Sequence, residues 1–431
     1  MAQFATMSTA TSQSRRLAPN YWRNFLLLAL DSGSFSFAMT SLSHLTIIPS
    51  YLARVTESRI LLGIAPAIFV LGSLLPQVFV ANWANGLKRR KPYLVMVFVL
   101  ERVAIALLYA VTCVATRVPA SLLLLLFLGC YAAFTTTLGL SSPIYTDFVA
   151  KAINVRRGTY YGFSFFLGGL SGVVSGKLAN QALTALPFPS SYATIFRTAL
   201  VVTAVSLTFC LFLADPPVPN GRQRVPWRAF LGELSTILRT DVDFARFIGV
   251  RIILNLGEMA TGFYGLYCAD KFVLPAAGFA TFSVILFVSQ SLANLIWGYV
   301  GDRMGFKVVL ASAALLGAVS TAIAVLSNAP WMFFVVFSLV GATTSAAQIA
   351  NVNLAICYSP QSDTQTYVGL MNTLQAPSLA LMPVMGGVIA QAAGYATTMV
   401  VAGCLYLVGF FITAAGLKDP TEARTSVRSS K

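Results

Sequence analysis

The chain has 431 residues, of which 57% are hydrophobic and only 10% are charged. Soluble domains usually carry about 25% charged residues, so this composition excludes an ordinary water-soluble protein. A formal net charge of +15 would suggest nucleic-acid binding in a soluble protein, but most Lys and Arg residues here fall in short segments between apolar stretches, and no nucleic-acid partner is expected.

Twelve apolar segments follow one another along the chain, each near the roughly 20 residues that a helix needs to cross a bilayer. In hydrocarbon the backbone must satisfy its own hydrogen bonds, and apolar runs of this length predict helices rather than a barrel. The fold class is therefore an all-α integral membrane protein in a lipid bilayer. The predicted spans are 24–49, 58–82, 92–114, 119–148, 158–184, 191–214, 243–269, 277–300, 306–327, 329–357, 366–393 and 395–417.

The segment between the sixth and seventh spans is the one sizeable interruption, and it is rich in Pro and basic residues. It divides the chain into a first six-helix half with a disordered tail (1–214), a cytoplasmic linker with a short amphipathic helix on the membrane surface (215–242), and a second six-helix half with a tail (243–431). The basic residues concentrate in alternate loops, which predicts cytoplasmic termini by the positive-inside rule.

A short polar turn joins the eighth and ninth spans and reads Gly298-Tyr-Val-Gly-Asp302-Arg303-Met-Gly305-Phe-Lys307. Glycines give such a turn its backbone freedom, and an Asp beside an Arg at a helix end can pair with a neighbouring helix and lock one conformation. The turn resembles the loop signature G-x-x-x-D-R-x-G-x-K of the major facilitator superfamily, and it lies where that family has its second copy of the signature.

The first half carries a weaker copy of this signature after span two, with Asn85 and Arg90 where Asp302 and Lys307 stand in the second half. Asn85 replaces the usual Asp, and a glycine position is occupied by Lys88. The resemblance covers about residues 20–418. It implies two pseudo-symmetric six-helix bundles, a central cavity that opens alternately to each side, and a role for both loops in gating.

Ionisable residues inside the membrane are costly, so each is a candidate for function. Asp31 is expected about 15 Å deep in span one, counting 1.5 Å per residue, where it can bind a proton or cap a broken helix. Glu101 and Arg102 lie in span three. Because adjacent helical residues diverge by about 100°, they are expected to meet different partners. Glu101 is assigned to the substrate or proton pathway, with a structural role as the alternative.

Span seven carries three polar residues, Arg251, Asn255 and Glu258, at spacings of four and three. These spacings predict one shared helical face. Arg251 can hold an anionic group or neutralise Glu258 within the protein, and both interpretations remain open at this point.

Three pairs of amide side chains share faces of spans eight, ten and eleven. Uncharged donors and acceptors around a cavity suit a polar or zwitterionic solute, but membrane helices also use amides to hydrogen-bond one another. The pairs are Gln290 with Asn294, Gln348 with Asn351, and Asn372 with Gln375.

The first functional interpretation is a secondary transporter of a small molecule, acting as a monomer in a bacterial inner membrane and exporting lipophilic compounds by proton exchange. Proton-driven uptake of a sugar or another polar solute is the alternative. A non-transporting receptor or a membrane enzyme on the same scaffold is the third possibility. The six scattered cysteines and the single histidine predict no metal site, and no cofactor is expected.

Overall fold

Helices make up nearly all of the chain that the structure describes. The computed structural model describes residues 17–44, 46–56, 59–84, 87, 89–216, 226–272, 276–360 and 363–418. In chain order its α-helices are α1 (Tyr21–Ser41), α2 (Ile47–Leu52), α3 (Arg59–Ala84), α4 (Lys91–Cys113), α5 (Ala120–Ala152), α6 (Arg157–Ala185), α7 (Ser190–Leu211), α8 (Trp227–Thr240), α9 (Val242–Gly257), α10 (Tyr264–Lys271), α11 (Ala276–Met304), α12 (Phe306–Leu326), α13 (Met332–Tyr358) and α14 (Thr364–Phe411).

Nine helices within the described residues are long and apolar enough to cross a membrane. The longest of them, 364–416, covers both the eleventh and the twelfth predicted spans, and Gly394 leaves the helical conformation between the two (φ 84°). Ten of the twelve predicted spans are therefore confirmed by length and composition. The first and seventh spans are not. Helix α1 has 21 residues, which is long enough, but it is too polar, whereas the seventh span is divided into α9 with 16 residues and α10 with 8.

The helices group into two compact units, residues 1–160, 170–224 and 362–365 in the first and residues 161–169, 225–361 and 366–431 in the second. In the first unit α5 packs against α3 and α4, and α7 packs against α1 and α4. In the second unit α13 packs against α11 and α12. The fourth predicted span thus contacts the second and third, as the tenth contacts the eighth and ninth, which is the pattern expected of a repeat. The linker boundaries at 215 and 243 stay a prediction.

The polarity of α4 is the reverse of that of a helix in a soluble protein. Its large apolar side chains Met96, Leu100 and Val103 are about half exposed, while Glu101 and Arg102 are buried. A surface helix in water buries its apolar stripe and exposes its charges. The reversed arrangement fits a helix with lipid outside and a polar cluster inside, and it directs both charged side chains into the first unit.

The amphipathic linker helix α8 forms as predicted, but its apolar face does not lie free for a membrane surface. Phe230 is fully buried, and Leu234 and Ile237 pack against the apolar core that includes Phe244 and Phe247 of α9. Packing against the core of its own unit removes this apolar face from water. The helix is therefore an integral part of the second unit.

Candidate functional site

The first membrane segment of the first unit is interrupted and unusually polar. Helix α1 ends at Ser41 and α2 begins at Ile47. Along α1 the hydroxyls of Ser34 and Thr40 each donate to a carbonyl one turn earlier at 3.0 Å, which satisfies them within the helix. The ionised carboxylate of Asp31 has no hydrogen to donate to a backbone carbonyl, and the residue is 95% buried. It must find its counter-charge on a neighbouring helix.

Arg102 of α4 provides that counter-charge. Its Nη2 atom lies 3.9 Å from Asp31 Oδ1, and its Nη1 atom lies 3.3 Å from Glu101 Oε1. The guanidinium also donates to the carbonyl of Thr203 at 3.1 Å and to the hydroxyl of Ser206 at 2.9 Å, both on α7. Asp31, Glu101 and Arg102, called here the carboxylate cluster, therefore join three helices at one buried point.

The sequence-based expectation that Glu101 and Arg102 meet different partners is wrong. Their Cα–Cβ bonds do diverge around α4, but the guanidinium is long enough to turn back toward its own helix. It donates to the carbonyl of Phe98 at 3.2 Å and approaches the carboxylate of Glu101 from there. One arginine thus serves both carboxylates.

The carboxylate cluster is not electrically balanced when all three side chains are ionised. Two carboxylates and one guanidinium carry a net charge of −1, and all three residues are at least 93% buried. Asp31 Oδ1 and Glu101 Oε1 accept no hydrogen bond from any residue that the structure describes. Because an uncompensated charge is costly in such a place, the cluster becomes neutral when it binds one proton. It can therefore hold and release a proton.

The seventh span is interrupted at Glu258, which opens a 3₁₀ turn (Glu258–Ala260) after α9. Before the break, Arg251 Nη2 donates to Asn255 Oδ1 at 2.9 Å. The amide of Asn255 donates in turn to Ser378 Oγ at 3.1 Å and to Gln375 Oε1 at 3.4 Å, both on α14. Arg251, Asn255, Gln375 and Ser378 form what is called here the arginine–amide cluster.

The arginine of this cluster is incompletely satisfied. Arg251 is 94% buried, and its Nε and Nη1 atoms have no hydrogen-bond partner among the described residues. Its charge interacts through space with that of Glu258, but the hydrogen bond of the guanidinium goes to Asn255 instead. Asn351 of α13 extends the cluster by accepting from Gln375 Nε2 at 3.3 Å.

The remaining amides mostly join helices to one another. Asn294 of α11 accepts a hydrogen bond from Ser345 of α13 at 2.6 Å, and Gln290 Nε2 lies 3.4 Å from Gln348 Oε1 across the same pair of helices. Asn372 is half-buried on α14. The first two contacts are of the interhelical kind that membrane bundles commonly use.

The polar turn of the second unit has the backbone that its glycines predict. Gly305 links α11 to α12 with a φ of 88°, a left-handed conformation that favours glycine. A side chain on Gly301 would overlap the ring of Phe306, so this residue lets the two helices meet closely. The guanidinium of Arg303 lies over the ring of Tyr299 at 4.8 Å. Gly298 and Asp302 complete the last turns of α11, and Lys307 is half-buried in the first turn of α12.

In the corresponding part of the first unit, Arg90 is fully buried and pairs with Asp147 of α5, with Nε 3.1 Å from Oδ2. Lys151, one helical turn further along α5, also pairs with Asp147, at 2.6 Å. The guanidinium of Arg90 donates to the carbonyl of Leu87 as well. Asn85, the other predicted gating residue of this loop, lies outside the described residues.

Ser206 and Ser378 are the polar residues that the sequence reasoning missed. Each completes a buried cluster by hydrogen-bonding its charged or amide partner. Single serines are frequent in membrane helices. These two differ from the others only in that helix packing places Ser206 beside Arg102 and Ser378 beside Asn255.

Two helical units and at least ten segments that are long and apolar enough to cross a bilayer define a multi-pass membrane protein. Several solved structures share the fold. The human organic anion transporter MFSD10 aligns with a TM-score of 0.72 at 15% identity, covering 92% of this chain and 100% of that one. The E. coli fucose:proton symporter FucP aligns with a TM-score of 0.71 at 13% identity, covering 91% and 98%. The proton:xylose symporter XylE aligns at 0.69 and 12%, covering 93% and 96%.

Comparisons of the sequence point to the same group of proteins as the comparisons of the fold. Residues 247–431 match the family model of the Major Facilitator Superfamily. Among curated relatives, the multidrug resistance protein MdtG of Escherichia coli strain 55989 is 27% identical over 136 residues, which is 31% of this chain and 33% of that protein. The matched region thus spans about a third of the curated relatives. Residues 247–431, less than half of the chain, are thus similar in sequence to the Major Facilitator Superfamily, and the whole chain is similar in fold to the transporters named above.

Proposed function

We propose that the protein is a proton-coupled secondary transporter of a small molecule and that the carboxylate cluster is its proton site. The observation that carries this proposal is the burial of two carboxylates against one guanidinium, with an orphaned oxygen on each carboxylate. A cluster that is neutral only when protonated binds a proton reversibly, and its position across α1, α4 and α7 makes the packing of these helices sensitive to that proton.

Export of lipophilic compounds is the proposed direction, supported by the similarity of part of the chain to a protein named for multidrug resistance. Uptake of a polar solute is the second candidate. It is supported by the arginine–amide cluster, because buried amide donors and acceptors suit a hydroxylated or zwitterionic ligand. In both cases transport proceeds by alternating access, with the polar turn at 298–307 and the loop at Arg90 acting as gates.

The protein is proposed to act as a monomer in a bacterial inner membrane with both termini in the cytoplasm, as the distribution of basic residues favours. Cysteines introduced in place of Lys307 and Arg117, in a chain whose six native cysteines are replaced by serine, test this orientation. A membrane-impermeant thiol reagent added outside intact cells is expected to label the second position and not the first.

The transport proposal is tested with purified protein in liposomes that contain a pH-sensitive dye. Compounds that stabilise the protein thermally are applied with and without a pH gradient, and wild type is expected to couple their movement to proton flux. Asp31→Asn removes one carboxylate from the cluster but leaves Glu101 paired with Arg102. This variant is expected to lose gradient-driven accumulation and to retain exchange of substrate across the membrane.

Asp243→Asn is the matched control, since Asp243 is a partly exposed carboxylate that pairs with Arg246 at 3.7 Å at the start of α9. It is expected to transport as wild type does. Gradient-driven accumulation that survives in the Asp31→Asn variant would contradict the assignment of the proton site. Absence of both exchange and proton flux with every stabilising compound in wild type would contradict transport itself.

A further inference from the structure

The least satisfied buried cation in the described part of the second unit is Arg251. A guanidinium has five N–H donors. The described residues supply one acceptor, Asn255, which takes a hydrogen bond from Nη2. The Nε and Nη1 atoms have no acceptor among these residues. Buried donors that lack acceptors are expensive, and arginines in folded proteins rarely keep several. An acceptor from outside the chain would remove that cost.

We propose that Arg251 binds the anionic group of the transported substrate, so that the substrate class is a small organic anion, most simply a carboxylate. This inference rests on the proposed transport function. It names the chemical class of the substrate that binds in the second helical unit of the protein. It assigns no role to the carboxylate cluster of the first unit.

The geometry suits a carboxylate. Nη2 keeps one N–H after it donates to Asn255, and this N–H lies beside either that of Nε or one of Nη1. One edge of the guanidinium therefore retains two parallel donors, which is the arrangement that a carboxylate accepts. The hydrogen bond to Asn255 holds the guanidinium plane in place, and Asn255 is itself anchored on Ser378 and Gln375. The arginine is thus preoriented, which lowers the entropic cost of binding an anion.

Glu258 sets the competing interaction. Its carboxylate is the opposite charge that acts on Arg251 through space, and it accepts no hydrogen bond from Nε or Nη1. The ring of Tyr406 on α14 lies close to Gly257, the residue before Glu258, and the hydroxyls of Tyr264 on α10 and Ser320 share a hydrogen bond at 3.1 Å. An anion bound to Arg251 is repelled by the carboxylate of Glu258, so neutralising Glu258 is expected to strengthen anion binding.

The first test measures thermal stabilisation of full-length protein in lipid nanodiscs by benzoate and by benzamide, its neutral match in shape. Benzoate is expected to raise the melting temperature and benzamide is not. Arg251→Gln is expected to weaken benzoate binding by about tenfold or more, the usual consequence of losing hydrogen bonds from a charged donor. Arg246→Gln removes the same charge from the same helix at a side chain that is 53% exposed, and it is expected to bind benzoate as wild type does.

A second variant protects the test against misfolding. Glu258→Gln removes the competing carboxylate and is expected to bind benzoate more tightly than wild type, a gain that a damaged protein does not produce. The inference is overturned if benzoate and benzamide stabilise wild type equally or not at all, if Arg251→Gln folds and keeps its benzoate affinity, or if Glu258→Gln binds no more tightly. Proton-coupled transport of neutral compounds that survives Arg251→Gln would overturn the anion site while leaving the transport proposal standing.

Discussion

Replacing Arg102 with methionine tests whether the carboxylate cluster is held together by one shared cation. The substitution keeps most of the apolar stem but leaves Asp31 and Glu101 without their guanidinium, which lies 3.9 and 3.3 Å from them. It also removes the donors to Thr203 and Ser206. Removing one partner of a buried ion pair costs about 3–5 kcal/mol, and the Arg102→Met variant is expected to lose stability in that range.

The measurement is thermal unfolding of purified protein in nanodiscs over a series of pH values. The deficit of Arg102→Met is expected to shrink as the pH falls, because a protonated carboxyl carries no charge to compensate. Adding Asp31→Asn and Glu101→Gln to the same chain removes every buried charge of the cluster, and this triple variant is expected to recover most of the lost stability. Arg246→Met, at an exposed pair, is the control and is expected to change stability by less than about 1 kcal/mol.

The reasoning would be refuted if Arg102→Met unfolded at the wild-type temperature at neutral pH. It would also be refuted if the triple variant were no more stable than the single one. Either result would mean that the two carboxylates do not depend on this arginine.

Two further substitutions test the loops. Gly305→Ala places a side chain on a backbone with φ 88° and ψ 153°, a region that is essentially restricted to glycine, and it is expected to cost about 1–3 kcal/mol in thermal unfolding. A variant as stable as wild type would argue against the turn geometry. Arg90→Gln removes a buried cation but leaves Asp147 paired with Lys151 at 2.6 Å, and the expected cost is therefore only about 1–3 kcal/mol. A loss as large as that expected for the arginine of the carboxylate cluster would indicate that Lys151 does not compensate.

The transmembrane fold was largely predictable from the sequence, because a chain in the hydrocarbon core of a bilayer can adopt few backbone structures. Apolar runs of sufficient length must form helices, and ten of the predicted spans are helices of adequate length and composition. The turn at Gly305 was predictable for a similar reason, since a sharp reversal between two long helices requires a backbone that glycine adopts easily.

The clusters were predictable only in part. Asp31, Glu101 and Arg251 were identified as candidate functional residues because they are charged and lie within predicted spans, where a charge without a partner is costly. This reasoning did not reveal that Arg102 serves two carboxylates, since a long side chain can turn back along its own helix in a way that residue spacing does not capture. Nor did it identify Ser206 or Ser378, whose roles depend on the register between helices distant in sequence.

The two spans that fall short of the criteria for a membrane helix are the ones that carry a buried cluster in each unit. Span one contains Asp31 and stops at Ser41, and span seven contains Arg251 and breaks at Glu258. They begin the two halves of the chain, and secondary transporters often place their binding sites at interrupted helices in corresponding positions of a repeat. A continuous apolar helix at either position would avoid the cost of burying charge, so the polarity retained at both supports the proposed binding of a proton and a substrate. In that proposal the first unit supplies a negative cluster that a proton neutralises, and the second supplies a cation with unused donors.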